Sequence, residues 1–185
     1  MKYTSLLFFL LCLGTISEAQ IALRGGVNYS DVSIEGTNVM TESKIGFHAG
    51  LQGNIGIGTV LGLRPALLYN IKGAKVDDTG ASTSSSLHYI EVPLNLAFRF
   101  GLDDLALILE GGPYFGYLLN SSEGLFNDID KSDWGVNFGA VIDLSSIGIG
   151  VNYSNSLIDV EGGERLNQAF QLTNGNFSAF LYFKF

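Results

Sequence analysis

The stretch LHYIEVPLNLAFRF, residues Leu87 to Phe100, carries two different faces. His88, Ile90, Val92, Leu94, Leu96, Phe98 and Phe100 take every second position and are nearly all apolar. The alternate positions, Tyr89, Glu91, Pro93, Asn95, Ala97 and Arg99, are mostly polar and include two opposite charges. A period of two is the signature of a β-strand, whose successive side chains point to opposite sides. Strands of soluble proteins usually run about 5–6 residues. A run of this length suits a tilted strand that crosses a bilayer, which needs roughly 9–11 residues.

The same alternation recurs on both sides of this stretch. Gln20 to Ser30 sets Ile21, Leu23, Val27 and Tyr29 against Ala22, Arg24, Asn28 and Ser30. Lys44 to Ile55 sets Ile45, Phe47, Ala49, Leu51 and Ile55 against His48, Gln52 and Asn54. Thr59 to Ile71 sets Leu61, Leu63, Leu67, Tyr69 and Ile71 against Arg64, Ala66 and Asn70, with Leu68 interrupting the polar face. Downstream, Leu105 to Leu119 opposes Leu105, Leu107, Leu109, Phe115 and Tyr117 to Glu110, Gly112, Tyr114 and Gly116. Ser132 to Leu144 opposes Trp134, Val136, Phe138, Ala140 and Ile142 to Asp133, Asn137 and Asp143. Ile147 to Ser154 and Asn176 to Phe185 complete the set, the last with Phe177, Ala179, Leu181, Phe183 and Phe185 on one face.

Eight strands result, and their connections alternate in length. Asp31 to Ser43, Lys72 to Ser86, Asn120 to Lys131 and Asn155 to Gly175 read as long loops. Gly56-Ile57-Gly58, Gly101 to Asp104, and Ser145-Ser146 read as tight turns. Short periplasmic turns, long external loops and an even strand count are the pattern of outer-membrane barrels. The expected fold is an all-β, eight-stranded, antiparallel up-and-down transmembrane barrel with a polar lumen filled by side chains.

Composition agrees. Hydrophobic residues make up 46% of the chain and charged residues 15%, against about 25% charged in soluble domains. Beyond Leu13 no apolar run approaches helix-spanning length, so the hydrophobicity is spread over alternating strands. The net charge of −8 argues against nucleic acid as a partner. At the N-terminus, Lys2, an apolar run from Leu6 to Leu13 and small residues at Ser17 and Ala19 read as a secretory signal, residues 1–19, cleaved before Gln20. Residues 20–185 then form the barrel domain. Cys12 leaves with the signal, so the mature chain has no disulfide or thiolate metal site.

The face assignment predicts an interior holding Arg24, His48, Arg64, Glu91, Asn95, Arg99, Glu110 and Asp143. Strand pairing predicts Arg64, Asn95 and Glu110 at similar heights, with Arg24, Arg99 and Asp143 gathered near the periplasmic end. A buried charge without a partner costs several kcal/mol, so these groups are expected to pair. Outside, Tyr29, Tyr69, Tyr117, Trp134 and Tyr153 fall at the outer interface, and Phe98, Phe100, Phe183 and Phe185 at the inner one. Two aromatic girdles are the expected result.

Eight strands leave an interior just wide enough for side chains. The lumen charges therefore read either as a plug that fixes the packing or as a narrow proton or ion path or a ligand site. His48 and His88 are the only histidines and the only candidate imidazole bases; His48 is expected to face the lumen and His88 the outer interface, and a Ser–His–acid set needs its groups within hydrogen-bond reach. Ser84, Ser85 and Ser86 precede His88 and read as a loop. No catalytic residue, cofactor site or metal site is expected. Asp77, Asp78, Asp128 and Asp130 offer at most weak Ca²⁺ contacts. The expected partners are outer-membrane lipids, the barrel assembly machinery through the terminal strand ending at Phe185, and an unknown envelope protein.

Several segments together resemble one family, the outer-membrane β-barrel domain common in the Gram-negative Bacteroidota and often labelled porin-family or PorT-like. They are LRPALLYNIKGAK (63–75), YIEVPLNLAFRF (89–100), GPYFGYLL (112–119), DWGVNFGAVIDL (133–144) and NFSAFLYFKF (176–185). Tyr69-x-x-Lys72-Gly73-Ala74 and Tyr89-Ile90-Glu91-Val92-Pro93 carry it most specifically. The resemblance implies an eight-stranded outer-membrane barrel. One type in the family serves a secretion and gliding apparatus. Three functional classes follow: a non-enzymatic barrel acting structurally or through its external loops, in adhesion, envelope integrity or partner binding; a transport or secretion component; and an outer-membrane lipid-modifying enzyme.

Overall fold

The computed structural model describes residues 16–34, 41–78, 81–102, 104–121, 131–157 and 172–185. Among the described residues are eight strands: β1 (Ile16–Ile34), β2 (Thr41–Ile57), β3 (Leu61–Asp78), β4 (Ala81–Leu102), β5 (Leu105–Ser121), β6 (Ser132–Leu144), β7 (Ile147–Ser156) and β8 (Leu172–Lys184). Each pairs antiparallel with its sequence neighbours, and β1 pairs with β8, so the sheet closes on itself. The seam runs from Ala22 opposite Lys184 to Ile34 opposite Leu172. A meander closes in this way only with an even number of strands, because only then do the first and last run in opposite directions.

Alternation decides which side each residue faces, and the barrel is inverted relative to a soluble one. Arg24, Asn28, His48, Gln52, Arg64, Asn70, Asn95, Asn137 and Asp143 are buried in the lumen. Phe47, Leu94, Phe138 and Leu181 stand exposed on the outside, as do most large apolar side chains of every strand. A continuous apolar surface of this extent is a liability in water and is stable against hydrocarbon. Tyr29, Tyr69, Tyr117, Trp134 and Tyr153 project from the outer surface towards the end with the long connections. Phe98, Phe100, Phe183 and Phe185 project near the tight turns.

The tight turns use backbone conformations that suit their residues. Gly58 (φ 73°) follows the end of β2, and Gly101 (φ 139°) sits where β4 bends into the β5 turn. Ser145 (φ 60°) opens the two-residue turn between β6 and β7, a left-handed position that most side chains resist.

Several segments expected as loops are strand. Asp31 to Ile34 pair with β8, Thr41 to Ser43 pair with Ala74 to Val76, and Lys72 to Asp78 pair with Ala81 to Leu87. The loop expected over Lys72 to Ser86 shrinks to residues 79–80, which lie outside the described residues, as do 122–130 and 158–171. The physical reason is that these segments lack the apolar–polar alternation that marks a lipid-facing strand, yet their backbone groups still pair. Conversely, Thr59 and Val60 belong to the turn before β3. The first strand begins at Ile16, four residues ahead of the expected mature start at Gln20, and residues 1–15 of the expected signal lie outside the described residues.

A small apolar core fills part of the lumen: Ala22, Ala97, Ile108, Val141, Phe180 and Tyr182. Tyr182 fits because Gly148 lies directly across from it on β7. A Cβ at Gly148 would collide with the tyrosine ring. A missing side chain on one strand thus makes room for a large one on the next, the pairing that rescues a glycine in a sheet.

Two substitutions test this architecture. Leu94→Arg, between the two aromatic levels on the lipid face, should destabilise the barrel by about 2–4 kcal/mol in denaturant titrations of protein folded in lipid. Unchanged stability would reverse the assignment of inside and outside. Gly148→Val should cost about 1–3 kcal/mol by overpacking, and that cost should largely vanish when the substitution is made in a Tyr182→Ala background. An undiminished cost there would show that the collision lies elsewhere.

Candidate functional site

The lumen is organised around four carboxylates, each placed by strand parity. Asp143, near the end of β6, is fully buried and collects three donors. Arg99 pairs with it, Lys184 Nζ lies 2.9 Å from its Oδ1, and the Tyr182 hydroxyl donates to the same oxygen at 2.7 Å. This is the tier next to the tight turns.

Glu110 on β5 forms the middle tier. It pairs with Arg64 Nη1, and Arg24 Nη1 lies 3.9 Å from its other oxygen. Both arginines are held by further contacts. Arg64 Nε donates to Asn54 Oδ1 at 2.9 Å and its guanidinium lies over the Tyr182 ring. Arg24 donates to Gln52 Oε1 at 3.3 Å and stacks 3.5 Å above the Phe180 ring. Gln52 Nε2 in turn donates to Asn54 Oδ1 at 3.0 Å.

The upper tier joins Glu91 of β4 and Asp133 of β6 through Lys72 of β3. Asn70 Nδ2 donates to Glu91 at 2.6 Å, and Asp133 accepts from the Ser156 hydroxyl at 2.7 Å and from the Tyr114 hydroxyl at 3.3 Å. The Lys72 ammonium also lies over the rings of Tyr89 and Tyr114. Pairs of this depth repay desolvation only when geometry and extra hydrogen bonds are good, and each tier supplies both.

Between the tiers is a belt of amides. Asn28 pairs with Asn70, and Asn152 donates to Asn137 at 3.0 Å. His48 Nδ1 lies 2.7 Å from Asn28 Oδ1. An amide oxygen accepts only, so Nδ1 carries the proton and Nε2 is the bare acceptor. His48 Nε2 and Asn95 Oδ1 have no protein partner and belong to residues lining a central cavity of about 30 Å³. A void of that size takes roughly one or two waters. A wider vestibule of about 510 Å³ opens at the tight-turn end, with Arg64, Arg99, Asp143, Tyr182 and Lys184 in its wall.

Of the residues expected inside, Arg24, His48, Arg64, Glu91, Asn95, Glu110 and Asp143 are buried there, and Arg99 is part-buried at the vestibule. Arg64 meets Glu110, while Asn95 lies opposite Arg64 across the β3–β4 pair. Arg24 departs from expectation. It reaches the middle tier, because Asp143 is already saturated by Arg99, Lys184 and Tyr182, whereas Glu110 and the Phe180 ring offer it both charge and a flat surface. Sequence reasoning missed Lys72, assigned to a loop although it continues the parity of Arg64, Ala66, Leu68 and Asn70. It also missed Lys184, Tyr182 and the pairing role of Asp133. His88 lies on the outside, where its Nδ1 is 2.7 Å from the Tyr69 hydroxyl. Neither histidine ring thus meets a serine and a carboxylate through its Nδ1. The side chains of Asp77, Asp78, Asp128 and Asp130 lie outside the described residues.

Arg64→Ala should lower stability by about 3–5 kcal/mol, because it leaves Glu110 with the distant Arg24 alone. In a double-mutant cycle with Glu110→Ala, a coupling of at least ~0.5 kcal/mol is expected. Strict additivity would mean that the pair contributes nothing at this level.

Comparison with known proteins places the barrel. The chain superposes on OprG of Pseudomonas aeruginosa with a TM-score of 0.56 at 11% identity, covering 91% of this chain and 96% of that one. Neisserial surface protein A gives 0.54 at 15% identity, covering 91% and 100%. Ail, the attachment invasion locus protein of Yersinia pestis, in complex with the heparin analogue sucrose octasulfate, gives 0.51 at 15% identity, covering 91% and 99%. At these identities the likeness is one of fold. No curated protein matches the sequence. The family model described as outer membrane protein beta-barrel domain matches residues 15–162. The chain therefore belongs to the outer membrane protein beta-barrel domain family and is an outer-membrane protein.

Proposed function

We propose that this outer-membrane barrel is a non-enzymatic anchor that acts through its external surface, in adhesion, envelope integrity or the binding of another envelope component. The observation that carries the reading is the occlusion of the lumen. Three tiers of interlocked charges cross the interior, and the central void between them measures about 30 Å³. A nutrient has no way through, so the working surface lies outside the wall.

Charge favours the external segments as that surface. The stretches 31–44, 73–86, 120–131 and 155–175 carry eleven acidic residues, Asp31, Glu35, Glu42, Asp77, Asp78, Glu123, Asp128, Asp130, Asp159, Glu161 and Glu164, against four basic ones. A surface of this sign suits a cationic partner or one bridged by divalent cations. The remaining partners in this reading are the surrounding lipids and the assembly machinery, which would engage the strand ending at Phe185.

A second reading is a narrow proton or ion path, or a part in a secretion or gliding apparatus of the kind the PorT-like motifs resemble. The run of polar side chains from Asp133 to Asp143 favours the path. Single-channel recording of the refolded mature protein in a planar bilayer separates the two. A folded, silent barrel is expected. Discrete, reproducible openings would replace the plug with a path and overturn the exterior reading.

A further inference from the structure

We propose that Gln20 is a modification site: once residues 1–19 are removed, its α-amine closes onto its own side chain and the barrel begins in pyroglutamate. This rests on the cleavage before Gln20 expected from the sequence. Two structural observations fit that cut, and a third fits the ring closure that follows it.

The first is where regular pairing ends. β1 holds one register with β2 from Ser30 opposite Lys44 back to Ala19 opposite Ile55, and loses it between Ala19 and Ile16. On the other side, β8 pairs only as far as Ala22, opposite Lys184, and the Phe185 N–H donates to the Ile21 carbonyl at 3.1 Å. The seam that closes the barrel therefore uses β1 from Ile21 onward. Among the described residues, none ahead of Gln20 pairs with β8. A cut at the Ala19–Gln20 bond leaves every seam contact in place.

The second is access. Ala22 and Arg24 are buried in the lumen, whereas Ala19 and Gln20 are exposed at the tight-turn end. That end faces the periplasm, the side on which a secretory signal is removed.

The third is the setting of the Gln20 side chain. Gln20 lies opposite Asn54 in the β1–β2 ladder, and both residues line the open vestibule of about 510 Å³. Farther in on the same strand face, Arg24 is held by Glu110, Gln52 and the Phe180 ring. Gln20 has one strand neighbour and open space before it, so its carboxamide can turn back on its own nitrogen.

The chemistry needs no partner molecule beyond the water that cuts the chain. Hydrolysis of the Ala19–Gln20 peptide bond frees the α-amine, which keeps an unprotonated fraction near neutral pH. Its nitrogen attacks the side-chain carboxamide carbon, Cδ. A bond forms between the α-nitrogen and Cδ, the Cδ–Nε2 bond breaks, and a proton passes from the α-nitrogen to the departing nitrogen, which leaves as ammonia. The product is a small lactam. Its nitrogen keeps an N–H donor for the sheet but no terminal positive charge. The strand that closes the barrel then has no free amine, and ordinary aminopeptidases cannot trim it towards Ala22.

The test is mass spectrometry of the protein expressed from its full chain and extracted from outer membranes. The expected intact mass is that of residues 20–185 less one ammonia. Edman sequencing should be blocked until pyroglutamyl aminopeptidase removes the first residue, after which Ile21 is read. Gln20→Ala should mature at the same bond and fold into the same barrel, but carry a free amine that sequences without that enzyme. A free amine on Gln20 in the wild type would overturn the cyclisation while leaving the cleavage standing. An N-terminus at any other residue would overturn both.

Discussion

Hydrocarbon offers no hydrogen bonds, and the rest of this structure follows from that. Every backbone N–H and C=O in the spanning region must find a partner within the chain, and a sheet can achieve this only by closing. Closure is completed by the β1–β8 seam. It turns the apolar faces outward and leaves the polar faces nowhere to go but in. With eight strands the enclosed space is just wide enough for those side chains. The lumen charges are thus not an addition to the fold. They are the complement of a lipid-facing surface on a chain whose side chains alternate.

Once inside, the charges face a second constraint. A lone buried ion is strongly unfavourable, whereas a pair with further hydrogen bonds approaches balance. The tiers show how this is met. Asp143 takes an arginine, a lysine and a tyrosine; Glu110 takes two arginines that are themselves braced by Asn54, Gln52 and aromatic rings. Cation–π contacts with Phe180 and Tyr182 spread positive charge onto surfaces that cost little to bury. Glycines such as Gly148 make room for those rings.

Much of this was legible in the sequence, because period-two alternation reports side directly. Arg64 and Glu110 could be placed together from strand pairing alone, and the strand count followed from the spacing of turns. Legibility failed where alternation lost its physical cause. The β3–β4 hairpin continues to Asp78 and Ala81, but past Ile71 the sequence drops its apolar alternation, so Lys72 looked like the start of a loop. Arg24 was misplaced for a different reason. A long side chain chooses among partners by what is already occupied, and occupancy depends on Lys184 and Tyr182, contributed by a strand far away in sequence. No pattern within β1 contains that information.

The lumen charges are also unevenly distributed along the chain. Arg24, Arg64 and Lys72 lie on β1 and β3, ahead of the carboxylates Glu91, Glu110, Asp133 and Asp143 on β4, β5 and β6; Arg99 follows Glu91 on β4, and Lys184 arrives only with β8. Apart from Lys72 and Glu91 on the neighbouring β3 and β4, these ion pairs join strands that are not consecutive, and the first hairpin alone could not neutralise its arginine. A route that delivered strands into lipid one hairpin at a time would strand uncompensated charge in the membrane at the early steps. The order of charges along this sequence favours a route in which the sheet curls while its inner face is still wet, and water leaves the lumen only as the last strand meets the first.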